Sequence, residues 1–339
     1  MKSILITGGA GYIGSAIGHN LAKQGYHVII LDTFVHQQIF NQSWATVIKT
    51  DFADSNALEK IFNNYNIEAV VHCAACIEVG ISVKDPALFY ENNVSKTIIL
   101  LQTMLAHNIK KIIFSSSCAV YGNPQWLPLT EDHPKNPLSP YGRTKLMTEM
   151  ILQDFCSAYD LRYVALRYFN AAGALPELHL GEQHKPETHI IPLLLNAALE
   201  NKIFTIFGND YETEDGTAIR DYLHVLDIAQ AHSDALRYLL ENKQSDCFNI
   251  GTGNGISIAQ MIETVEKIYQ KKIKTKYVAR RIGDAPILFA NAQKAQMLLK
   301  WQHQFSTIDY ILKTAYKFQT SATLLNHQKD VLIEKGECY

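Results

Sequence analysis

A short β-prone run, Ser3–Thr7, passes without a spacer into Gly8-Gly9-Ala10-Gly11-Tyr12-Ile13-Gly14, and a helical pattern opens at Tyr12. A strand, a glycine turn and a helix in direct succession leave few possible folds. Glycines at 8, 11 and 14 permit a tight turn and let backbone N–H groups approach a pyrophosphate. The helix N-terminus that follows supplies partial positive charge without a basic side chain. A structural glycine turn is the bland alternative; the position between strand and helix is the context that the phosphate-binding reading requires.

The rest of the first half continues the alternation. Strands are expected at Ser3–Thr7, His27–Leu31, Thr46–Lys49, Glu68–Cys73, Lys110–Ser115 and Arg162–Tyr168, with helices near Tyr12–Lys23, Asp54–Asn64, Pro86–His107 and Pro140–Tyr159. This order predicts right-handed crossovers and a Rossmann-type α/β fold with a doubly wound parallel sheet. Past Asn170 the rhythm changes. A Gly-, Pro-, Glu- and His-containing loop runs to about Thr188, then a helix is expected at Ile190–Glu200, strand-like pieces at Ile203–Phe207 and Cys247–Ile250, and a helix near Val225–Leu240. The expected organisation is a dinucleotide-binding domain over 1–170, with 225–251 as a candidate return to it. A smaller C-terminal α/β substrate domain over 171–320 and a polar tail over 321–339 complete it.

Charge narrows the partners. The 31 Lys and Arg nearly balance the 33 Asp and Glu, for a net charge of -2. No broad field steers the chain onto nucleic acid or an acidic membrane, so an anion must be caught by a local site. No apolar stretch approaches a membrane span, and the opening MKSILITGG is too short in apolar residues for a signal peptide. The six cysteines lack the spacing of a small disulfide framework, which favours free thiols and a cytoplasmic location. Cys73 and Cys76 form a C-x-x-C with no second pair at zinc spacing, so no metal is expected and they are read as lining a cofactor crevice.

Asp32 ends the second strand, where a carboxylate can bind the adenosine ribose hydroxyls and repel a 2′-phosphate. Thr33, Phe34, Val35 and His36 add no Lys or Arg to reverse that preference, so NAD is favoured over NADP. Further on, Ser139 suits a helix N-cap and Pro140 the first helical position, which puts Tyr141 and Lys145 on one face. An ammonium near a phenol favours the phenolate, and a depressed Tyr141 is therefore expected as a base. Ser117, placed just past a strand at the C-terminal sheet edge, is a candidate hydrogen-bond partner for the sugar oxygen that loses its proton. A Tyr-x-x-x-Lys alone is commonly a surface pair; together with the glycine turn and the Ser-rich strand end it is far more specific.

This combination resembles the extended short-chain dehydrogenase/reductases and, over roughly 1–320, the UDP-glucose 4-epimerases among them. The segments that carry the likeness include TGGAGYIGS (7–15), YENNVSKT (90–97), FSSSCAVYG (114–122), SPYGRTKLMTE (139–149), LRYFNAAG (166–173), FGNDYETEDGTAIRDYLHVLDIA (207–229) and RRIGD (280–284). The resemblance implies Tyr141 as base, Lys145 as its electrostatic partner and ribose ligand, and Ser117 as hydrogen-bond donor. It implies NAD contacts from Gly8, Gly11, Tyr12, Ile13, Gly14, Asp32, Asp51, Phe52, Cys73, Ala74, Ala75, Asn92, Ser115, Tyr141, Lys145 and Tyr168. For a UDP-sugar it implies Ser117, Tyr141, Asn170, His189, Ile190, Phe207, Arg220, Arg281 and Asp284, with the arginines on the diphosphate, Asp284 near the uridine ribose and Phe207 on the uracil-binding strand. Bland alternatives stay open: Arg220 as a partner of Asp215 or Asp221, Phe207 as core, Asn170 and His189 as caps. The implied reaction moves hydride from C4 to the nicotinamide, turns the 4-keto sugar and returns the hydride to its other face. Homodimerisation is a further implication, with Pro86–His107 and Pro140–Tyr159 as candidate contact helices.

The chain also departs from that family. Thr33 replaces a common Asn, the Asp32–Asp51 stretch is short, and Ile77 stands where a lysine usually lies near the cofactor phosphates; these bear against retention of NAD through purification. Leu288 occupies the position that controls admission of N-acetylated sugars and is neither bulky aromatic nor small, which favours glucose and galactose. A 4,6-dehydratase needs an acid–base pair after the serine, but Cys118 and Ala119 follow Ser117. A uronic-sugar enzyme differs only at the C6 contact, and a non-catalytic regulator has no need of Tyr141 with Lys145.

Overall fold

The computed structural model describes residues 2–35, 42–183, 187–281 and 285–334, the last of these with side chains as far as 321. The first half comprises β1 (Ser3–Thr7), α1 (Tyr12–Lys23), β2 (His27–Asp32), β3 (Ala45–Lys49), α2 (Ser55–Asn64), β4 (Ile67–His72), α3 (Val79–Lys84), α4 (Pro86–Tyr90), α5 (Lys96–Ala106), β5 (Lys111–Ser117), α6 (Pro140–Tyr159) and β6 (Arg162–Tyr168). It continues with β7 (Asn170–Ala172), α7 (Ile190–Glu200), β8 (Phe204–Phe207), β9 (Ile219–Arg220), β10 (Tyr222–His224), α8 (Val225–Leu240) and β11 (Asp246–Ile250). The remaining elements are β12 (Ile256–Ser257), α9 (Ile258–Tyr269), β13 (Thr275–Val278), β14 (Ile287–Leu288), α10 (Gln293–Leu298) and α11 (Ile308–Glu334).

Seven parallel strands form the main sheet in the order β11-β6-β5-β4-β1-β2-β3. Its two faces follow from the period-2 alternation of side chains along each strand. Ile4, Ile6, Val28, Ile30, Val164 and Phe248 point to one face, against Ile17 and Leu21 of α1 and Ile228 and Leu236 of α8. Leu5, Ile29, Val70, Ile112 and Ala165 point to the other, against Leu58 of α2, Leu100 and Met104 of α5 and Leu152 of α6. The central strands β1 and β2 read as near-continuous apolar runs because both faces are covered. Burying one such Leu or Ile contributes about 1.5–3 kcal/mol. β11 pairs with β6 from Asp246↔Val164 to Ile250↔Tyr168, so a late segment closes the edge of the sheet built by the first half.

A separate core forms from Ile191, Leu194 and Leu195 of α7, Phe204 and Ile206 of β8, Met261 and Val265 of α9, and Ile311 and Leu312 of α11. Around it lie three short sheets, β10-β7, β12-β9-β14 and β13-β8. Several boundaries differ from those expected. Pro86–His107 is not one helix: α4 and α5 are separated by a π-turn at Glu91–Ser95. Asn93 in that turn explains it, because its amide accepts from Cys76 N (2.8 Å) and donates to Cys76 O (2.9 Å), an anchorage that periodicity does not reveal. β5 runs two residues further than expected, so Ser117 is its last residue and pairs with Tyr168. α11 continues through the polar stretch after 320, to Glu334.

Candidate functional site

The C-terminal ends of the main strands open into a crevice of about 640 Å³. Gly8 has φ +67°, and a Cβ there would lie 2.7 Å from Ala74 N; a Cβ on Gly14 would lie 2.3 Å from Gly8 O. Only hydrogen fits between these backbones. α1 starts from Gly11 with no side-chain cap, leaving its first N–H groups for an anion in the crevice. Asp32 accepts from Ala10 N (3.0 Å) and Phe34 N (2.9 Å), which ties the end of β2 to the glycine turn and holds the carboxylate at the crevice wall.

Ser139 caps α6 by accepting from Gly142 N at 3.1 Å, and Pro140 occupies its first turn, as those residue types predict. The helix thereby delivers Tyr141 and Lys145 to the crevice facing Ser117. Their electrostatics differ from the expectation. Burial pushes the Tyr141 phenol up to about 12, and the Ser117 hydroxyl opposes this only in part. Lys145 is itself buried, with its pKa down to about 8. Its ammonium donates to Ser115 O at 2.8 Å and sits 5.8 Å from the centre of the Tyr141 ring, so in this state its charge serves the strand end before the phenol.

Of the residues singled out from sequence, Gly8, Gly11, Tyr12, Ile13, Gly14, Asp32, Asp51, Phe52, Cys73, Ala74, Ala75, Asn92, Ser117, Tyr141, Lys145, Tyr168, Asn170 and His189 all line the crevice, and so does Leu288. Ser115, Ile190, Phe207, Arg220 and Arg281 do not, and Asp284 lies outside the described residues. Ser115 is buried behind the wall. Arg220 donates to Ile219 O at 2.8 Å and is near enough to bear on Cys118, which does line the crevice; Asp215 is engaged by Thr217 and Ser257. The Arg281 guanidinium stacks over the Phe207 ring at 4.0 Å, which places an aromatic face and a cation side by side.

Lys96, Glu182 and Gln183 are among the wall residues that escaped the sequence reading. Lys96 pairs with Asp51 at 2.5 Å, and Glu182 and Gln183 belong to the loop before α7. Glu182 meets His189 Nδ1 at 2.5 Å, with Glu187 at 3.5 Å. His189 makes no side-chain cap of α7; Glu187 accepts from His189 N at 2.8 Å instead. Burial opposes the charged form, but hydrogen bonds donated by the imidazole to the two glutamates outweigh it and push its pKa up to about 10. That pairing contributes stability in full below the ordinary value of 6.5 and loses it as pH rises through about 10. Melting temperatures of Glu182→Gln and the wild-type protein should therefore differ most between about pH 5 and 6.5, where carboxylates are ionised and imidazoles protonated, and converge above pH 10.

A glycine-cradled crevice at the switch of an open parallel sheet, walled by Ser, Tyr and Lys, defines a nucleotide-dependent oxidoreductase type of site. Residues 4–251 match the NAD dependent epimerase/dehydratase family, and the chain belongs to that family. It is 45% identical over 305 residues to the UDP-glucose 4-epimerase of Rhizobium meliloti, covering 90% of this chain and 93% of that one. Among solved structures, UDP-glucose 4-epimerase from Brucella ovis in complex with NAD superposes with a TM-score of 0.89 at 42% identity, covering 93% of this chain and 98% of the other. The Bifidobacterium longum enzyme in complex with NAD+ and UDP gives a TM-score of 0.88 at 36% identity, covering 95% and 98%.

Proposed function

We propose that this chain interconverts UDP-glucose and UDP-galactose by transient oxidation at C4. Its family and its likeness to UDP-glucose 4-epimerases over most of the chain make it an NAD-dependent isomerase. The observation that carries the reading is the convergence of Tyr141, Ser117 and Lys145 on the same crevice that Gly8, Gly11 and Gly14 line. The cradle fits the cofactor: Gly8 and Gly14 leave room that a Cβ would fill, and Asp32 suits a ribose while disfavouring a 2′-phosphate. When bound, NAD would supply the hydride acceptor and donor for C4. Tyr141 removes the C4 hydroxyl proton, Ser117 holds the same oxygen, and Lys145 stabilises the phenolate as it forms. Asn170 and His189 of the same crevice contact the sugar nucleotide, and Arg220 and Arg281, which lie outside the crevice wall, would engage its diphosphate by turning towards it. Phe207 supports the base and Asp284 the uridine ribose. Leu288 leaves the sugar pocket suited to a hexose without an N-acetyl group.

Incubation with UDP-galactose and NAD, followed by chromatography, should yield UDP-glucose without accumulation of NADH. NADH accumulating in step with a keto product would replace the epimerase reading with a dehydrogenase.

The chain acts as a homodimer. Val79, Ile81 and Val83 of α3, Leu88 of α4, and Met147 and Met150 of α6 are all exposed, an apolar patch on the helices over one sheet face. Sedimentation should give twice the 38.2 kDa chain mass, and Met150→Glu should shift the protein towards monomer. Cytoplasmic residence fits the free thiols of Cys73, Cys76, Cys118, Cys156 and Cys247. Among the described residues no helix is long and apolar enough to cross a membrane.

A further inference from the structure

His232 is a titratable group that the reaction above does not use. It lies on α8, on the far side of the sheet from α6, and is completely buried. Its Nδ1 lies 2.8 Å from Ile228 O and its Nε2 3.0 Å from Ser115 Oγ. A carbonyl only accepts, so Nδ1 carries the proton and Nε2 presents a lone pair. The Ser115 hydroxyl must then donate to Nε2, and its own lone pairs face the remaining neighbours. Those neighbours are Cys73, whose sulfur lies 3.2 Å away, and the Tyr168 phenol, and both line the crevice. Ser115 O meanwhile receives the Lys145 ammonium. One serine thus joins the helix behind the sheet to two wall residues and to the lysine.

We propose that His232 is a positioning residue which, as the Nδ1–H tautomer, sets the direction of the Ser115 hydroxyl and so holds Cys73 and Tyr168 in the arrangement that grips the cofactor beside Tyr141. Burial keeps the imidazole neutral, its pKa lowered to about 4, so the direction of donation is constant through the neutral range. The inference rests on the epimerase reading for its catalytic part only.

His232→Leu removes the acceptor, while His232→Gln can offer an amide oxygen in its place. NAD affinity is read from quenching of intrinsic fluorescence, and kcat and KM from UDP-galactose turnover across pH. Leu should weaken NAD binding and lower kcat by about tenfold each, the size of one lost buried hydrogen bond, with KM for UDP-galactose unchanged. Gln should restore most of both. In a Ser115→Ala background His232→Leu should add no further loss, because the group it orients is gone. Full additivity of the two substitutions would overturn the proposal, and so would equal losses for Leu and Gln. An unfolded His232→Leu would leave Ser115→Ala against Ser115→Ala/His232→Gln as the deciding pair, with a further loss in the second overturning it. If the wild-type protein fails to turn over UDP-galactose, the activity reading falls while the NAD-affinity comparison still decides the role of His232.

Discussion

Tyr141→Phe should reduce kcat by about 10³-fold while leaving NAD and UDP binding near wild type. The substitution removes one oxygen from a residue that lines the crevice beside Ser117, and it leaves the ring packing of α6 in place. A loss of that size is about 4 kcal/mol of transition-state stabilisation, more than a neutral hydrogen bond supplies and within reach of a proton-transfer group. Because burial puts the phenol up at about 12, deprotonation must be driven inside the assembled complex. Lys145 is the group placed to do it once its ammonium is drawn from Ser115 O. Lys145→Met should accordingly cost kcat and NAD affinity together. A Tyr141→Phe enzyme with turnover within a factor of about three of wild type would remove the phenol from the chemistry.

Gly14→Ala should abolish measurable NAD binding and lower the melting temperature. The added methyl would meet Gly8 O at 2.3 Å and Gly9 Cα at 2.8 Å, both backbone atoms of the turn that shapes the cradle. No side chain can rotate to relieve that contact, so the turn itself must open. Gly80→Ala provides the control: a Cβ there meets nothing within 4 Å, and α3 should gain up to about 1 kcal/mol of helix propensity with NAD binding unchanged. Titration of both variants with NAD separates a cradle defect from a general sensitivity to alanine.

Much of this was legible because it is local. The strand–glycine–helix order, the Ser139–Pro140 start of α6 and the spacing of Tyr141 and Lys145 depend on residues within one or two turns of each other, where propensity and sterics dominate. Asp32 and Ser117 could be placed at strand ends for the same reason, although β5 proved to run on through Ser117. The π-turn at Glu91–Ser95 was hidden, since its cause is a side chain reaching Cys76 across 17 positions. Glu182 and Glu187 surround His189 through a loop with no periodic pattern. His232 did leave a faint signal, a polar residue on a helix face otherwise made of Ile228, Ala229, Ala235, Leu236 and Leu239, but its partner Ser115 lies 117 positions away.

By itself, then, the sequence determined the doubly wound sheet, the strand–glycine–helix turn, the preference for NAD and the shared helix face of Tyr141 and Lys145, because each is written in short-range spacing that backbone geometry converts directly into structure. Tertiary structure decided that the candidate return of β11 is made beside β6, that Lys145 is tied to Ser115, that His189 meets two carboxylates, and which of the marked residues share a wall. Those outcomes depend on contacts between distant segments and on burial, which sets the charge state of each group only once the chain has closed around it.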